Sequence, residues 1–201
     1  MFTGIVEATG KLIAQKDNKF VFENSFQEAF KKGESVSLSG MCATVINSND
    51  QQFEVEIMGE SRSKTIFGNI NLGEAINLER AAVIGQRNSG HHVTGHIDEL
   101  GEIIDRRTQD DYEIFRIGFS EDNKNLVVPK GCIAIDGISL TISDFSESRG
   151  ALRCAPTQCR WFEIAIISHT LENTTLGNKK PGDKVHLEFD LFGKYVIYSA
   201  R

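Results

Sequence analysis

Three of the five histidines in this 201-residue chain crowd into one stretch, Ser89-Gly90-His91-His92-Val93-Thr94-Gly95-His96. Histidine changes charge near neutral pH, so His91 and His96, each beside a glycine, are candidates for general acid–base work or for contacting a ligand. The plainer reading is a polar edge between two halves of the molecule. Cys42 and Ser139 form a second candidate pair, because each stands two residues before a threonine, in Cys42-Ala43-Thr44 and Ser139-Leu140-Thr141. Residues two apart in a strand share a face, so each pair predicts a shelf with two small polar side chains. The glycines just before them, Gly40 and Gly137, let a backbone or a flat ligand come close. A cysteine is a good nucleophile only where its pKa is lowered. Otherwise Cys42 is a small strand residue. A third candidate is the apolar run 164–169, which ends in Ser168 and His169 and can wall a pocket. Its alternative is a helix start capped by Ser168 or Thr170.

The two shelves belong to a longer repeat. Phe2-Thr3-Gly4-Ile5-Val6-Glu7 returns as Val93-Thr94-Gly95-His96-Ile97-Asp98. Thr65-Ile66-Phe67-Gly68 before Gly73-Glu74-Ala75-Ile76-Asn77-Leu78-Glu79 returns as Thr174-Thr175-Leu176-Gly177 before Gly182-Asp183-Lys184-Val185-His186-Leu187-Glu188. Three matches in one order, with a separation that only grows, indicate internal duplication with insertions in the second copy. Where the copies differ, they divide labour: Cys42 faces Ser139, and Ile5 faces His96.

Duplication in a chain of this length predicts two small domains. A net charge of −6 argues against a protein that tracks nucleic-acid phosphates. No apolar run is long enough for a membrane span, and the start of the chain lacks the pattern of an export signal. Cys42, Cys132, Cys154 and Cys159 therefore read as free thiols of a reducing, cytoplasmic compartment. Cys154 and Cys159 lack two further ligands at zinc spacing, so no metal is expected.

The elements that must hold these residues read as short strands with glycine-rich turns, which predicts closed antiparallel barrels. Residues 1–15 read as a strand with Ile5, Leu12 and Ile13 in the core. Residues 25–32 read as one or two helical turns, with Phe26, Ala29 and Phe30 on one side. Residues 35–47 and 131–145 read as long strands carrying the shelves. Residues 64–70 read as a polar connection, and 82–90 as the bridge between halves. Extra length in the second half falls at 108–112 and 146–160, both read as surface insertions.

These motifs together resemble the alpha-chain type of riboflavin synthase, the lumazine-binding repeat family. The match runs in order through Met1-Phe2-Thr3-Gly4-Ile5-Val6, Gly40-x-Cys42-x-Thr44, Asn77-Leu78-Glu79-Arg80-Ala81, Gly90-His91 to Gly95-His96, Asp136-Gly137-Ile138-Ser139-Leu140-Thr141 and His169-Thr170-Leu171-Glu172-x-Thr174-Thr175. The resemblance implies an all-β protein of two tandem six-stranded Greek-key barrels with short helices. It divides the chain into an N-terminal barrel (1–90), a C-terminal barrel (91–190) and a short helical tail (191–201). It implies conversion of two 6,7-dimethyl-8-ribityllumazine molecules into riboflavin and 5-amino-6-(ribitylamino)uracil by four-carbon transfer, with no cofactor. It also implies a homotrimer whose active sites join the N-barrel of one subunit to the C-barrel of another. The alternative within the same fold is a binder that holds a lumazine or flavin without turnover.

By matching position, the resemblance puts Gly4, Ile5, Val6, Lys130, Ser139, Leu140, Thr141 and the strand Ile164, Ala165, Ile166, Ile167, Ser168, His169 around the C-barrel pocket. Cys42, Ala43, Thr44, the strand Glu56, Ile57, Met58, Gly59, Glu60, Ser61, and Gly95, His96 and Ile97 fall around the N-barrel pocket. Phe2 and Thr3 match the family's N-terminal segment near the ligand. Ser139 and His96 are assigned to proton handling, Cys42 to positioning or adding to the second lumazine, and Asp190 to an acidic role near the site.

Overall fold

The computed structural model describes residues 1–146 and 159–200. Six strands close the first barrel: β1 (Ala8–Lys16), β2 (Lys19–Glu23), β3 (Ser35–Leu38), β4 (Met41–Ser48), β5 (Gln52–Glu56) and β6 (Ala75–Arg80). Six more close the second: β7 (Glu99–Gln109), β8 (Tyr112–Ser120), β9 (Cys132–Ile135), β10 (Ile138–Phe145), β11 (Cys159–Ile167) and β12 (Lys184–Phe189). Around the first ring the order is β1-β2-β5-β4-β3-β6, and the second ring repeats it strand for strand, with every pair antiparallel. Closure removes the unpaired edges that short strands would otherwise expose. A short helix follows β5 and β11 alike: α1 (Gly59–Lys64) and α2 (Ser168–Asn173), each succeeded by a 3-10 turn. The chain ends in α3 (Leu191–Ser199). The duplicated all-β architecture expected from the sequence is the one observed.

The barrels are filled differently. Phe20, Phe22, Phe53 and Phe67 interlock at ring separations of 5.8–6.4 Å in the first. Ile103, Ile117, Ile133, Ile135, Ile142 and Ile164 dominate the second, beside Phe115 and Phe162. Each such side chain contributes on the order of 1.5–3 kcal/mol when fully buried.

Both predicted long strands are hairpins. Ser39-Gly40 (φ 44° and 89°) joins β3 to β4, and Asp136-Gly137 (φ 46° and 78°) joins β9 to β10. Positive φ at both positions is the geometry of a two-residue type I′ turn, which a glycine at the second place permits. The two tips meet: a Cβ built on Gly40 would lie 2.7 Å from the Gly137 nitrogen, and the reverse distance is also 2.7 Å. These glycines therefore serve a contact between barrels, not a ligand shelf.

The rest of the seam follows the same near-twofold logic. The Asn77 side chain donates to Asp136 O (2.9 Å) and accepts from the Thr175 N–H (2.8 Å). At the twin place, the His186 ring bonds Ser39 O through Nδ1 (2.7 Å) and the Ile66 N–H through Nε2 (2.9 Å). A carbonyl can only accept and an N–H can only donate, so His186 is neutral with its proton on Nδ1. Burial pushes its pKa down, against the upward pull of Asp136.

Several local expectations are corrected. Only Ala8–Lys16 of residues 1–15 is strand, and Ile5 and Ile13 are exposed. Ile13 is the extra residue where the β1–β2 register shifts between Leu12 and Ala14, so Leu12 alone turns inward. Residues 25–32 form no helix. Asn24 organises them instead, accepting from the Phe26 N–H and donating to Glu28 O, and such Asx bonding competes with helix. Phe26 and Phe30 still share a neighbour, the Arg80 guanidinium. The matching segment of the second half is a 3-10 stretch, Glu121–Leu126. Residues 64–70 complete α1 and hold the turn Ile66–Gly68. The inserted stretch 147–158, with Cys154, lies outside the described residues.

Candidate functional site

The connecting segments before β1 and β7 do not stay on their own barrels. Residues 2–6 form an arm that lies on the second barrel, where Val6 packs against its core. Residues 93–97 form a second arm on the first barrel, where Ile97 packs against that core. The arms cross as an isolated bridge, Phe2 N–H to Val93 O at 2.7 Å and Val93 N–H to Phe2 O at 3.1 Å. Phe2, Val93 and Ala134 are buried together at the crossing.

Each arm ends by hydrogen bonding the shelf that the sequence singled out. The Ser139 N–H donates to Gly4 O at 2.7 Å, and the Cys42 N–H donates to Gly95 O at 2.8 Å. Ser139 and Thr141 on β10, like Cys42 and Thr44 on β4, point away from their barrel cores, so each shelf with the arm laid against it makes an outward-facing surface, the cup of that barrel. On the neighbouring strand Ser35 pairs with Thr44 and Cys132 with Thr141, while Ser37 and Ala134, opposite Cys42 and Ser139, are buried.

In the second cup a histidine is hydrogen-bonded to the shelf. His91 Nδ1 lies 2.7 Å from Ser139 Oγ, and the His91 N–H donates to Thr3 O. Burial lowers the His91 pKa, Asp190 pulls it up and His92 lowers it further. A neutral imidazole at this distance can take the hydroxyl proton. Gly90 makes the approach possible, because a Cβ there would lie 1.9 Å from Thr3 O and 3.1 Å from Ser139 Oγ. The residue pattern offers His91 as a candidate and gives the proton work to His96. The structure leaves the His96 ring exposed on its arm, without a hydrogen bond among the described residues.

The remaining candidates sort by direction. Ala43, Ile57, Ile164 and Ile166 are buried in the barrel cores, and Leu140 packs against one, so they offer a ligand only backbone. Glu56, Met58, Ala165 and Ile167 face outward beside them. The predicted strand 56–61 ends at Glu56, and Gly59, Glu60 and Ser61 open α1. The strand 164–169 ends at Ile167, and Ser168 and His169 open α2, which has no side-chain cap from Ser168 or Thr170. Lys130 is exposed with φ 61° on the segment leading into β9, at the place Gly33 occupies in the first half. A hollow of about 360 Å³ brings Val6 and His169 together, and one of about 410 Å³ gathers Thr3 and Ile5. Asp190 caps α3 by accepting from the Phe192 N–H, and its charge also reaches His91 and Cys132.

Paired barrels with twin external cups define a class, the lumazine-binding domain proteins, and the pattern of that family matches residues 3–81 and 94–190. Solved structures of LumP with 6,7-dimethyl-8-(1'-D-ribityl) lumazine and with riboflavin share the fold at TM-scores of 0.75 and 0.70, with 20% and 21% identity. Each covers 94% of this chain and 99% of its own. Among curated relatives, the riboflavin synthase of Mycobacterium bovis is 37% identical, over 98% of this chain and 96% of its own. That of Brucella abortus is 34% identical over 100% and 98%. That of Bacillus subtilis is 31% identical over 98% and 88%. The chain belongs to the riboflavin synthase family.

Proposed function

We propose that this protein is a riboflavin synthase, moving a four-carbon unit between two molecules of 6,7-dimethyl-8-ribityllumazine to give riboflavin and 5-amino-6-(ribitylamino)uracil. The observation that carries the reading is the survival of both cups, one closed by Gly95 on Cys42 and the other by Gly4 on Ser139. One donor and one acceptor of the same chemical kind need two related sites, and holding both turns a bimolecular encounter into an effectively unimolecular step. Thr44 and Thr141, with neighbouring main-chain groups, hold the pteridine edges. In the second cup, neutral His91 takes the Ser139 proton, leaving the serine oxygen to draw a proton from the C7 methyl of its lumazine. Burial keeps His91 uncharged and fit for that role. His96 and Cys42 contact the lumazine of the first cup.

The active form is a homotrimer in which the first cup of one subunit faces the second cup of another. Exposed Phe192, Tyr195, Val196 and Tyr198 on α3 supply apolar surface for that assembly. Cys42 and Cys132 are free thiols, in keeping with a cytoplasmic home.

Incubation of the purified protein with dimethylribityllumazine tests the reaction. Riboflavin absorbance should grow in at half the rate of lumazine loss. Lumazine emission that persists without conversion would establish a binder instead. Sedimentation of the purified protein tests the trimer.

A further inference from the structure

Two buried carboxylates hold the arms. Glu79 on β6 accepts from the Thr3 N–H (2.7 Å), the Thr3 hydroxyl (2.8 Å) and the Gly4 N–H (3.1 Å). Glu188 on β12 accepts from the Thr94 N–H (2.6 Å), the Thr94 hydroxyl (2.8 Å) and the Gly95 N–H (2.9 Å). They are 4% and 2% exposed, and neither forms an ion pair among the described residues. A buried carboxylate without a cation must be met by hydrogen-bond donors. Here the arm supplies all three donors, and the bonds are of the strong, charge-assisted kind.

The consequence crosses the molecule. Glu79 belongs to the first barrel, but the glycine it grips hands its carbonyl to Ser139 in the second cup. Glu188 belongs to the second barrel, and the glycine it grips hands its carbonyl to Cys42 in the first cup. A single residue, Gly4 or Gly95, links each carboxylate to the other barrel's shelf. We propose that Glu79 and Glu188 are positioning residues acting in exchange, each setting the ligand cup of the barrel to which it does not belong. The inference rests on the reading that both cups take ligand.

Site-resolved titration of the intact protein with riboflavin tests it. The amide signals of Ser139 and Cys42 report the second and first cups separately. In Glu79→Gln, one amide hydrogen must face a backbone N–H, so a charge-assisted bond is lost. Riboflavin affinity read at Ser139 should fall by about tenfold or more, with affinity at Cys42 unchanged. Glu188→Gln should show the mirror image. Thr3→Val and Thr94→Val remove one donor each, keep the buried charge, and should give smaller losses with the same crossed assignment. A loss at the carboxylate's own barrel, or equal losses at both, would overturn the inference, because either is what a general loss of stability produces. If neither amide of the unaltered protein responds to riboflavin, the two-cup reading itself falls, and the inference with it.

Discussion

The two barrels share a strand order, a bulge after Leu12 or Ile103, a type I′ tip and a carboxylate clamp. They part company where a ligand would lie. The second cup carries Ser139 with His91 hydrogen-bonded to it, and exposed Lys130 donates its N–H to Ile142 O just past Thr141. The first carries Cys42 and, in place of Lys130, Gly33. The outer walls differ as well: Glu163 is buried between Arg107 and Arg116, and Arg116 lies over the Trp161 ring. Glu54, matching Glu163 along the repeat, pairs among the described residues with a single cation, Lys19 at 3.5 Å. Equivalent backbones with unequal polar groups fit the proposed division, in which both halves bind ligand and the proton chemistry is concentrated in one.

That contrast can be broken by substitution. Ser139→Ala and His91→Gln should each lower kcat by about a hundredfold to ten-thousandfold, the usual range for a positioned acid–base group. Cys42→Ser, at the twin place, should cost far less, and steady-state rates of the three variants decide the matter. Equal losses would mean that the cups share the proton work. Gly90→Ala comes next. Its methyl group would collide with Thr3 O, displacing the arm and His91 together, and a shift near 1 Å costs about a hundredfold in rate. Unchanged turnover in this variant would show that the arm tolerates more play than its contacts imply.

The seam offers a milder test. Burial lowers the His186 pKa, so the unfolded chain binds its proton first as pH falls. Stability from the neutral ring is therefore complete above the ordinary histidine value of about 6.5, and is lost as pH drops below it toward the folded value. Melting temperature should fall between about pH 7.5 and about pH 5.5, and His186→Asn, which copies the bonding of Asn77, should flatten that dependence. The smallest effect is expected at Asp190. Asp190→Asn removes a negative charge that favours protonated His91. The acid limb of the rate profile should move to lower pH, with a stability loss of no more than about 1 kcal/mol, since asparagine also caps helices.

Much of this was legible from residue order. Gly-x-Cys42-x-Thr44 and Gly-x-Ser139-x-Thr141 announced the duplication, and alternation in residues such as Phe53, Val55 and Ile57 announced the barrels. The tips show only as a one-place slip in the alternation: Leu38 and Met41, three residues apart, both point inward, so the inward set passes from even to odd positions across the turn. Ser-Gly and Asp-Gly between apolar runs were the available signal. The His91–Ser139 contact left no local trace. It spans 48 positions and exists only because the arms change sides. Repeat logic points to His96, and by itself does not say which of two nearby histidines the crossing turns toward a serine. The Asn77 and His186 bridges are likewise invisible in one dimension, because their partners belong to the opposite barrel.

The crossing has a practical corollary for anyone who would cut the molecule in two. The surface loop 82–89 is exposed throughout, and opening it yields two pieces, each keeping the strap that the other requires. Neither fragment alone presents a finished cup, whereas co-expression should restore both, making the pair a natural scaffold for split-reporter complementation.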